Sequence, residues 1–287
     1  STITLEELKR MASYFQPPAY ETLPSDESAL QKLRSENKAF SNWVGRNVRP
    51  HKINGYAIVT LSLKKTGVPP GDATADQMDF VADLADHYSF GELRVTHEQN
   101  LVLTDVRQSD LYALWQAVKA QGLATPNIGL LTDIICCPGG DFCSLANAKS
   151  IPIAGAIAER FDNLDFQHDI GEIDLNISGC INACGHHHVG NIGILGVDKD
   201  GSEWYQVSIG GRQGNQSAIG KIIGPSFAVE QMPEVIARLL QVYVRKRYED
   251  ERFIDTVDRL GIEPFKAHVY ATPIGGQALE AGEDAYA

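Results

Sequence analysis

Five cysteines constrain this chain most strongly, because all of them fall within 49 of its 287 residues. Four of them form two pairs, in the segments Cys137-Pro-Gly-Gly-Asp-Phe-Cys143 and Cys180-Ile-Asn-Ala-Cys184. The fifth, Cys136, directly precedes the first pair. A secreted disulfide scaffold is smaller and spreads its cysteines along the chain. Clustered thiols in a chain of this size indicate metal or redox chemistry instead.

The residues around the two pairs favour an iron–sulfur cubane. Such a cluster needs four thiolates that converge on one body, and short loops rich in Gly and Pro allow the backbone to wrap it. Pro138, Gly139 and Gly140 lie inside the first loop, and Gly179 and Gly185 flank the second. The sequence therefore predicts a [4Fe–4S] cluster on Cys137, Cys143, Cys180 and Cys184.

Two alternatives stay open from the residues alone. Structural zinc sites place two to four residues between paired ligands, and only the Cys180–Cys184 pair has that spacing. Buried, unligated cysteines are the other alternative, although four such residues would rarely all fall in Gly-flanked loops. Cys136 could also replace Cys137 in the first pair, but Cys137 is the preferred ligand.

Composition and charge exclude several classes of partner. Hydrophobic residues make up 43% and charged residues 22% of the chain, as in soluble globular proteins. A net charge of -12 argues against nucleic acid, which requires a dense basic face. No apolar run approaches the roughly 18–20 residues that span a membrane. The first ten residues lack a basic start followed by an apolar core, so we expect a cytoplasmic protein.

The first large unit is predicted from apolar periodicity and capping signals. Its elements are a strand at Gly55–Leu63, a helix opened by a capping box at Thr74 and Gln77, strands at Glu92–Thr96 and Leu101–Val106, and a helix at Asp110–Gln121. The order β-α-β-β-α is typical of a ferredoxin-like α+β unit, which we expect to end near residue 125.

The second unit contains all the cysteines. Its predicted elements are a helix at Ser144–Arg160 interrupted near Pro152, a strand at Glu172–Ser178, a hairpin of Val189–Val197 with Glu203–Gly210, and helices at Val229–Arg247 and Arg252–Leu260. The expected fold class is therefore α+β, a ferredoxin-like repeat followed by a cluster-binding domain.

We predict four segments along the chain. Residues 1–50 form a connecting arm, with helices at Glu6–Phe15 and Asp26–Phe40, and Phe40 and Trp43 anchor the arm to the body. Residues 51–125 form the ferredoxin-like domain and residues 126–270 the cluster-binding domain. Residues 271–287, rich in Gly, Ala and acidic side chains, are expected to be a flexible tail.

The spacing C-x5-C…C-x3-C, with Gly179 and Gly185 beside the second pair, resembles the sirohaem-containing sulfite and nitrite reductases. The stretch Arg94-Val-Thr-His-Glu-Gln-Asn-Leu101 resembles the Thr-x-x-Gln-Asn stretch of that family, and Asn182 resembles the Asn inside its second cysteine loop. The strand-helix-strand unit at residues 55–122 precedes the cysteines in the same order. The match runs from about Phe40 to about Tyr270.

The resemblance implies two cofactors. Cys137, Cys143, Cys180 and Cys184 hold the [4Fe–4S] cluster, and Cys184 is also the axial ligand of sirohaem iron, so that one sulfur bridges the two groups. Gln99, Asn100 and Asn182 bind or brace the cofactor pocket, with simple turn roles as the alternative for Gln99 and Asn100. His186, His187 and His188 cannot all face one site if the strand is extended, so at most two point inward.

The implied activity is six-electron reduction of sulfite to sulfide in sulfur assimilation, placed ahead of nitrite to ammonia. The alternatives are an iron–sulfur electron-transfer module without sirohaem and a zinc-stabilised protein without catalytic activity. The electron donor is ferredoxin or a flavoprotein subunit, and no flavin or nicotinamide fingerprint decides between them.

Only one ferredoxin-like repeat is present, whereas the family's subunit has two, and this one resembles the second. The cationic residues that hold the substrate anion lie mostly in the family's first half, so no catalytic residue is assigned in this chain. We expect the C-terminal half of a longer reductase whose N-terminal half is missing here. A partner chain that supplies the other half, and a small single-repeat enzyme, are the alternatives.

Overall fold

The computed structural model describes residues 3–23 and 27–274 of the chain. In chain order its strands are β1 (Val48–Pro50), β2 (Tyr56–Leu61), β3 (Leu93–Val95), β4 (Leu101–Arg107), β5 (Ile135–Cys136), β6 (Leu175–Ser178), β7 (Ile192–Lys199), β8 (Ser202–Ile209), β9 (Lys221–Ile222) and β10 (Phe227–Ala228). Its α-helices are α1 (Leu5–Ala12), α2 (Glu27–Glu36), α3 (Lys38–Asn47), α4 (Ala75–Tyr88), α5 (Leu111–Ala120), α6 (Ile151–Arg160), α7 (Leu164–Ile170), α8 (Met232–Lys246), α9 (Phe253–Leu260) and α10 (Glu263–Val269).

The first sheet is antiparallel, with the strand order β1-β2-β4-β3. Helices α4 and α5 pack on it, and α4 begins with the predicted capping box between Thr74 and Gln77. The predicted apolar face of α5 is buried, through Leu111, Leu114, Trp115 and Val118. The element order β2-α4-β3-β4-α5 is the predicted one, so the ferredoxin-like unit and the α+β class are confirmed.

The segment before this sheet divides differently from the prediction. The single helix expected at Asp26–Phe40 is wrong: α2 ends at Glu36, and the side chain of Asn37 accepts the Phe40 N–H to cap a new helix, α3. Residues 24–26 lie outside the described part of the chain. Phe40 and Trp43 are fully buried in the core of the first sheet, as predicted for anchors. Because β1 also pairs with β2, residues 38–50 pack with the ferredoxin-like unit.

The second sheet has the order β10-β8-β7-β6-β5, with β9 on β8. Strands β5, β6 and β7 run parallel, whereas β7 and β8 form the predicted hairpin. Its tight turn uses Asp200 and Gly201, both at positive φ, which suits the twist of a two-residue hairpin. Helices α6, α8, α9 and α10 contribute to the apolar core against this sheet.

The helix predicted directly after Cys143 is wrong over its first half. Residues 144–150 are irregular, and α6 begins only at Ile151, with Pro152 in its first turn. Pro is favoured there because the first helical N–H groups have no intrahelical partner. The backbone of the preceding residues is engaged elsewhere, since the N–H groups of Asn147 and Ala148 donate to Gly179 O.

The start of the predicted flexible tail is held in place. Arg238 Nη1 donates to Thr272 O at 2.7 Å, and Gln231 Nε2 donates to Ile274 O at 3.0 Å. Ile274 is buried against the second core. Residues 271–274 of the predicted tail therefore contact the second core, and the rest of that segment, 275–287, lies outside the described residues. Among the described residues, no helix combines the length and apolarity that crossing a membrane requires.

Candidate metal centre

The cysteines lie at the carboxyl edge of the parallel strands of the second sheet. Cys137 directly follows β5, and Cys180 comes two residues after the end of β6. In the register of these strands Cys136 is opposite Ile177, so both strands end at the same edge. Ligand sites of α/β sheets form at this edge, where loops from neighbouring strands meet.

The two cysteine loops contact one another through Gly179. Its carbonyl oxygen accepts the N–H groups of Asn147 at 2.8 Å and Ala148 at 3.1 Å. A Cβ added at Gly179 would lie 2.6 Å from Ala148 O and 2.8 Å from Gly139 Cα. The approach of the loops therefore requires the absence of a side chain at this position, next to Cys180.

The sulfur of Cys137 faces the second loop. Its Sγ accepts the Gly179 N–H at 3.0 Å and lies 3.5 Å from Ser150 Oγ. The backbone N–H of Cys137 donates to Ile177 O at 3.1 Å, which holds the residue against β6. Backbone N–H donation to cysteine sulfur is one of the features by which proteins tune iron–sulfur sites.

Cys136 has a different environment from the other four. It is buried in the apolar core of the second sheet, and its Sγ donates to Cys137 O at 3.2 Å. Burial, with a smaller effect of the neighbouring Cys137, raises the pKa of the Cys136 thiol to about 12. The Cys136 side chain is thus packed in the core and directed at a backbone carbonyl.

Of the remaining cysteines Cys180 is buried, whereas Cys143 and Cys184 are more open to solvent. Cys143 is half-buried and Cys184 is exposed, and all five cysteines are free. Three large apolar side chains stand in the same loops with unusually high exposure, namely Phe142 at 81%, Leu145 at 70% and Ile181 at 79%. The cysteine face thus combines accessible thiols with apolar groups that water does not favour.

A single zinc ion and a cubane cluster require different arrangements of their cysteine ligands. Within the described residues, no three His, Cys, Asp or Glu side chains form a group that could hold one ion. A structural zinc requires four ligand atoms at about 2.0–2.3 Å from one centre. A cubane carries its cysteines on separate irons, so its ligands stand farther apart around a larger body.

Gln99 and Asn100 both act on the strand that leads to Cys137. Gln99 Oε1 accepts the Cys136 N–H at 2.9 Å, and Gln99 Nε2 donates to Cys136 O at 2.8 Å. Asn100 Oδ1 accepts the Leu63 N–H at 3.0 Å, and its Nδ2 donates to Asp133 Oδ1 at 2.9 Å. Their amides contact protein backbone and a carboxylate, whereas Asn182 is exposed in the second cysteine loop.

Two charged residues beside this strand were missed by sequence reasoning. Lys64 and Asp133 are buried, and their charged atoms lie 3.8 Å apart. Nothing in the sequence distinguished Lys64 from its neighbour Lys65, because a Lys-Lys pair after a strand is typical of a solvated turn. Ser150, whose hydroxyl lies 3.5 Å from Cys137 Sγ, was also missed, because this contact joins residues 13 positions apart and no local pattern encodes it.

The three histidines after Cys184 do not form the extended strand that the sequence analysis assumed. His186 has φ 53°, and His187–Val189 form a turn of 3₁₀-helix. His187 is buried, and within the described residues its Nδ1 has no hydrogen-bond partner, whereas His186 and His188 are exposed. Burial, assisted by His188, lowers the pKa of His187 to about 4. The buried ring is therefore neutral at neutral pH.

Comparison with known proteins gives two family matches. The model described as the nitrite and sulphite reductase 4Fe-4S domain matches residues 130–275, and that of the nitrite/sulfite reductase ferredoxin-like half domain matches residues 65–121. The first match includes all five cysteines and the second includes Gln99 and Asn100. The first match contains every strand of the second sheet, whereas the second contains α4, β3, β4 and α5 and begins after β1 and β2.

The names of individual relatives specify either nitrite or sulfite as the substrate. The chloroplastic ferredoxin–nitrite reductase of Arabidopsis thaliana is 33% identical over 74% of this chain, and 36% of that protein is covered. The sulfite reductase [ferredoxin] 2 of Mycolicibacterium paratuberculosis is 30% identical over 71% of this chain, and 39% of it is covered. This chain therefore spans well under half the length of these relatives.

A solved structure, the Mycobacterium tuberculosis NirA protein, superposes on the fold. Its TM-score is 0.63 at 26% identity, over 77% of this chain and 41% of that one.

Proposed function

Because the chain belongs to the nitrite and sulfite reductase family, we propose that it is the cluster-bearing half of a reductase that converts sulfite to sulfide. The family match includes an iron–sulfur domain, and the finer assignments of ligands, second cofactor and substrate are our proposals. They rest on the geometry of the two cysteine loops.

One observation carries the ligand assignment. The hydrogen bond from the Gly179 N–H to Cys137 Sγ, at 3.0 Å, joins the first cysteine loop to the second. It directs Cys137 towards the loop of Cys180 and Cys184, whereas the thiol of Cys136 is directed at a backbone carbonyl in the core. The residues present fit the cluster, and we propose Cys137, Cys143, Cys180 and Cys184 as its ligands.

The side chains of this chain would perform defined tasks around that site. When bound, the cluster supplies electrons one at a time, and sirohaem binds the oxyanion that receives them. The Gly179 N–H stabilises negative charge on Cys137 Sγ. Gln99 fixes the backbone of Cys136 with two hydrogen bonds and so positions the residue that follows. The apolar rim of Phe142, Leu145 and Ile181 favours exclusion of water.

We propose Cys184 as the sulfur shared with sirohaem. It is the exposed cysteine of the four, so its far side is open to a second group. We propose that Asn182, exposed two residues earlier, contacts the same group. Gln99 and Asn100 would brace the site indirectly, since their amides hold the backbone of Cys136 and the side chain of Asp133.

The substrate anion requires cations that these loops do not provide. Across residues 137–150 and 179–188 the one Lys or Arg is Lys149, and its Nζ lies 3.5 Å from Asp141 Oδ1. Sirohaem is itself polyanionic, so its carboxylates add to the demand for positive charge. This supports the proposal that the missing half supplies the anion-binding residues and that this chain alone is an incomplete catalytic unit.

Nitrite is the second candidate substrate, because the plant relatives are named nitrite reductases. Several relatives, on both the nitrite and the sulfite side, also have ferredoxin in their names, which supports ferredoxin as the electron donor ahead of a flavoprotein. Steady-state assays with both anions and one chemical reductant compare kcat/KM directly, using this chain joined to its N-terminal half. We expect the larger value for sulfite, and a larger value for nitrite would reverse the order.

An optical spectrum tests the second cofactor. The chain is produced together with sirohaem, both alone and with its N-terminal half, and spectra are recorded for the natural protein and for Cys184→Ser. We expect haem bands in the complete protein that are displaced in the variant, because the axial ligand changes. Unchanged haem bands in Cys184→Ser would refute the bridging role. If the complete protein showed no haem bands, the remaining function would be that of an iron–sulfur electron-transfer module.

A further inference from the structure

Lys64 is a buried lysine at the junction of the two sheets. It lies three residues after β2, and its side chain is 1% exposed, whereas the neighbouring Lys65 is exposed. Its Nζ donates to Glu98 O at 2.8 Å and to Ile134 O at 2.6 Å. It therefore ties the 97–100 loop of the first sheet to the segment that enters β5, the strand before Cys137.

The surroundings of Lys64 favour the ammonium form. An ammonium has three donors and no acceptor, and three oxygens face it: two carbonyls and, at 3.8 Å, Asp133 Oδ1. Burial lowers the pKa of Lys64, and the carboxylate of Asp133 acts against that effect. Because every polar contact of Nζ is an acceptor, the geometry holds the proton on nitrogen.

Asp133 is held separately on its own side of the junction. It accepts the Gly129 N–H at 2.9 Å through Oδ2 and the Asn100 Nδ2–H at 2.9 Å through Oδ1. Burial raises the pKa of Asp133, and the charge of Lys64 opposes this shift. The carboxylate is thus committed to Gly129 and Asn100, whereas the ammonium contacts the backbone that continues towards the cysteines.

The charge of Lys64 reaches the cysteine strand. Ile134, whose carbonyl it contacts, is three residues before Cys137, which is a distance of about 10 Å along an extended chain. Within that segment Lys64 Nζ also faces Asp133 Oδ1 at 3.8 Å, so the charge is fixed beside the residues that enter β5. Salt screens a buried charge far less than an exposed one, so the interaction persists at physiological ionic strength.

We propose that Lys64 is a positioning residue of the iron–sulfur site, and that its buried positive charge raises the reduction potential of the cluster. The inference rests on the proposed function, because it needs a cluster on Cys137 and its three partners. Reduction adds one negative charge to the cluster, and a nearby cation in a low dielectric stabilises that product. The same ammonium fixes the strand that carries the first ligand.

Potentiometric titration of the reconstituted cluster, followed by electron paramagnetic resonance, tests this proposal. The natural chain is compared with Lys64→Met and with Lys65→Met, which remove the same formal charge one residue apart. We expect a more negative midpoint potential for Lys64→Met and no shift for Lys65→Met. Equal potentials in loaded Lys64→Met and natural protein, or equal shifts in both variants, would overturn the proposal.

Asp133→Asn is expected to shift the midpoint potential in the opposite direction from Lys64→Met. It also tests the proposal if Lys64→Met does not fold. The substitution keeps the shape of the side chain and leaves the ammonium uncompensated, so the potential is expected to rise. A purely structural role of Lys64 does not predict potential shifts of opposite sign in Lys64→Met and Asp133→Asn. A lower or unchanged potential in Asp133→Asn would overturn the proposal. A natural chain that binds no iron would refute the proposed function itself, and the inference with it.

Discussion

At the scale of single residues, the environment of each cysteine separates ligands from packing groups. Cys136 and Cys137 are adjacent in sequence, yet one sulfur is directed into the core and the other at the Gly179 N–H. Cys136 is the last residue of β5 and Cys137 directly follows it, so the two side chains leave the backbone in different directions. The choice between them is therefore a matter of strand geometry, which spacing alone leaves open.

Gln99 is expected to contribute to stability through Cys136. Gln99→Ala removes two hydrogen bonds and leaves a backbone N–H and C=O without these partners in a buried segment, so the free energy of unfolding should fall by about 2 kcal/mol. Urea denaturation of the cluster-free protein measures this. Gln121→Ala, at an exposed helix end, is the control. Equal stabilities of the two variants would contradict a stabilising role for the two hydrogen bonds between Gln99 and Cys136.

His187 is expected to make the fold sensitive to acid. Its pKa is lowered to about 4 by burial, and an unfolded histidine has a pKa near 6.5. Its contribution to stability is therefore complete above about pH 6.5 and is lost as pH falls towards 4. Urea midpoints of cluster-free protein across that range should fall less in His187→Gln than in the natural chain. The exposed His87→Gln should keep the natural slope.

Sequence reasoning reached part of this residue-scale description. The Gly-flanked pairs identify four cysteines, and the Gln99-Asn100 stretch was recognised by resemblance. The position of Asn100 and Gln99 behind the strand, and the pairing of Lys64 with Asp133, depend on contacts between residues far apart in the chain. No local pattern encodes such contacts, since a buried lysine and an exposed one look the same in sequence.

At the scale of elements, the close approach of the two cysteine loops is the feature most sensitive to volume. In Gly179→Ala the new methyl group would lie 2.6 Å from Ala148 O, a backbone atom that cannot move alone. We expect a loss of about 1–3 kcal/mol of stability, from the cost of overpacking, together with weaker cluster retention.

Gly155→Ala is the matched control for that substitution. Gly155 lies inside α6, and a Cβ added there meets nothing within 4 Å. Replacing a helix-interior glycine by alanine should stabilise the fold by about 0.5–1 kcal/mol. Urea denaturation of both variants in the cluster-free form measures the two effects. Shifts of the same sign would contradict the described packing of the loops.

The N-terminal helices differ in their contribution to the fold. Phe40 in α3 is fully buried, so Phe40→Ala should cost about 3–5 kcal/mol of stability. Phe15, just after α1, is 80% exposed, and α1 has no buried residue, so Phe15→Ala should leave the urea midpoint unchanged. A large effect at Phe15, or none at Phe40, would show that the first core is bounded differently.

Elements with strong local signals were predictable. The capping box of Thr74 and Gln77, the Asp200-Gly201 turn and the apolar stripe of α5 each encode their structure within a few residues. The segment after Cys143 was not, because its N–H groups bond to Gly179 rather than to a helix of their own. Strand β5 has two residues and is defined only by its partner β6, so no periodicity could reveal it.

At the scale of the whole molecule, each of the two cores surrounds one sheet, and a set of polar contacts links the sheets. Lys64 and Asn100 extend from the first sheet to Ile134 and Asp133 in the segment before β5. These links join the ferredoxin-like sheet to the segment that leads into β5 and Cys137. The chain spans 36% to 39% of the reductases of Arabidopsis and Mycolicibacterium that it resembles.

The central claim is that four named cysteines, and not the fifth, hold one cubane cluster. Iron and acid-labile sulfide are measured after anaerobic reconstitution of the natural chain, of Cys137→Ser, Cys143→Ser, Cys180→Ser and Cys184→Ser, and of Cys136→Ala. The account predicts about four irons and four sulfides per chain in the natural protein and in Cys136→Ala, and loss of the intact cluster in each serine variant. Full iron content in Cys137→Ser together with loss in Cys136→Ala would contradict it.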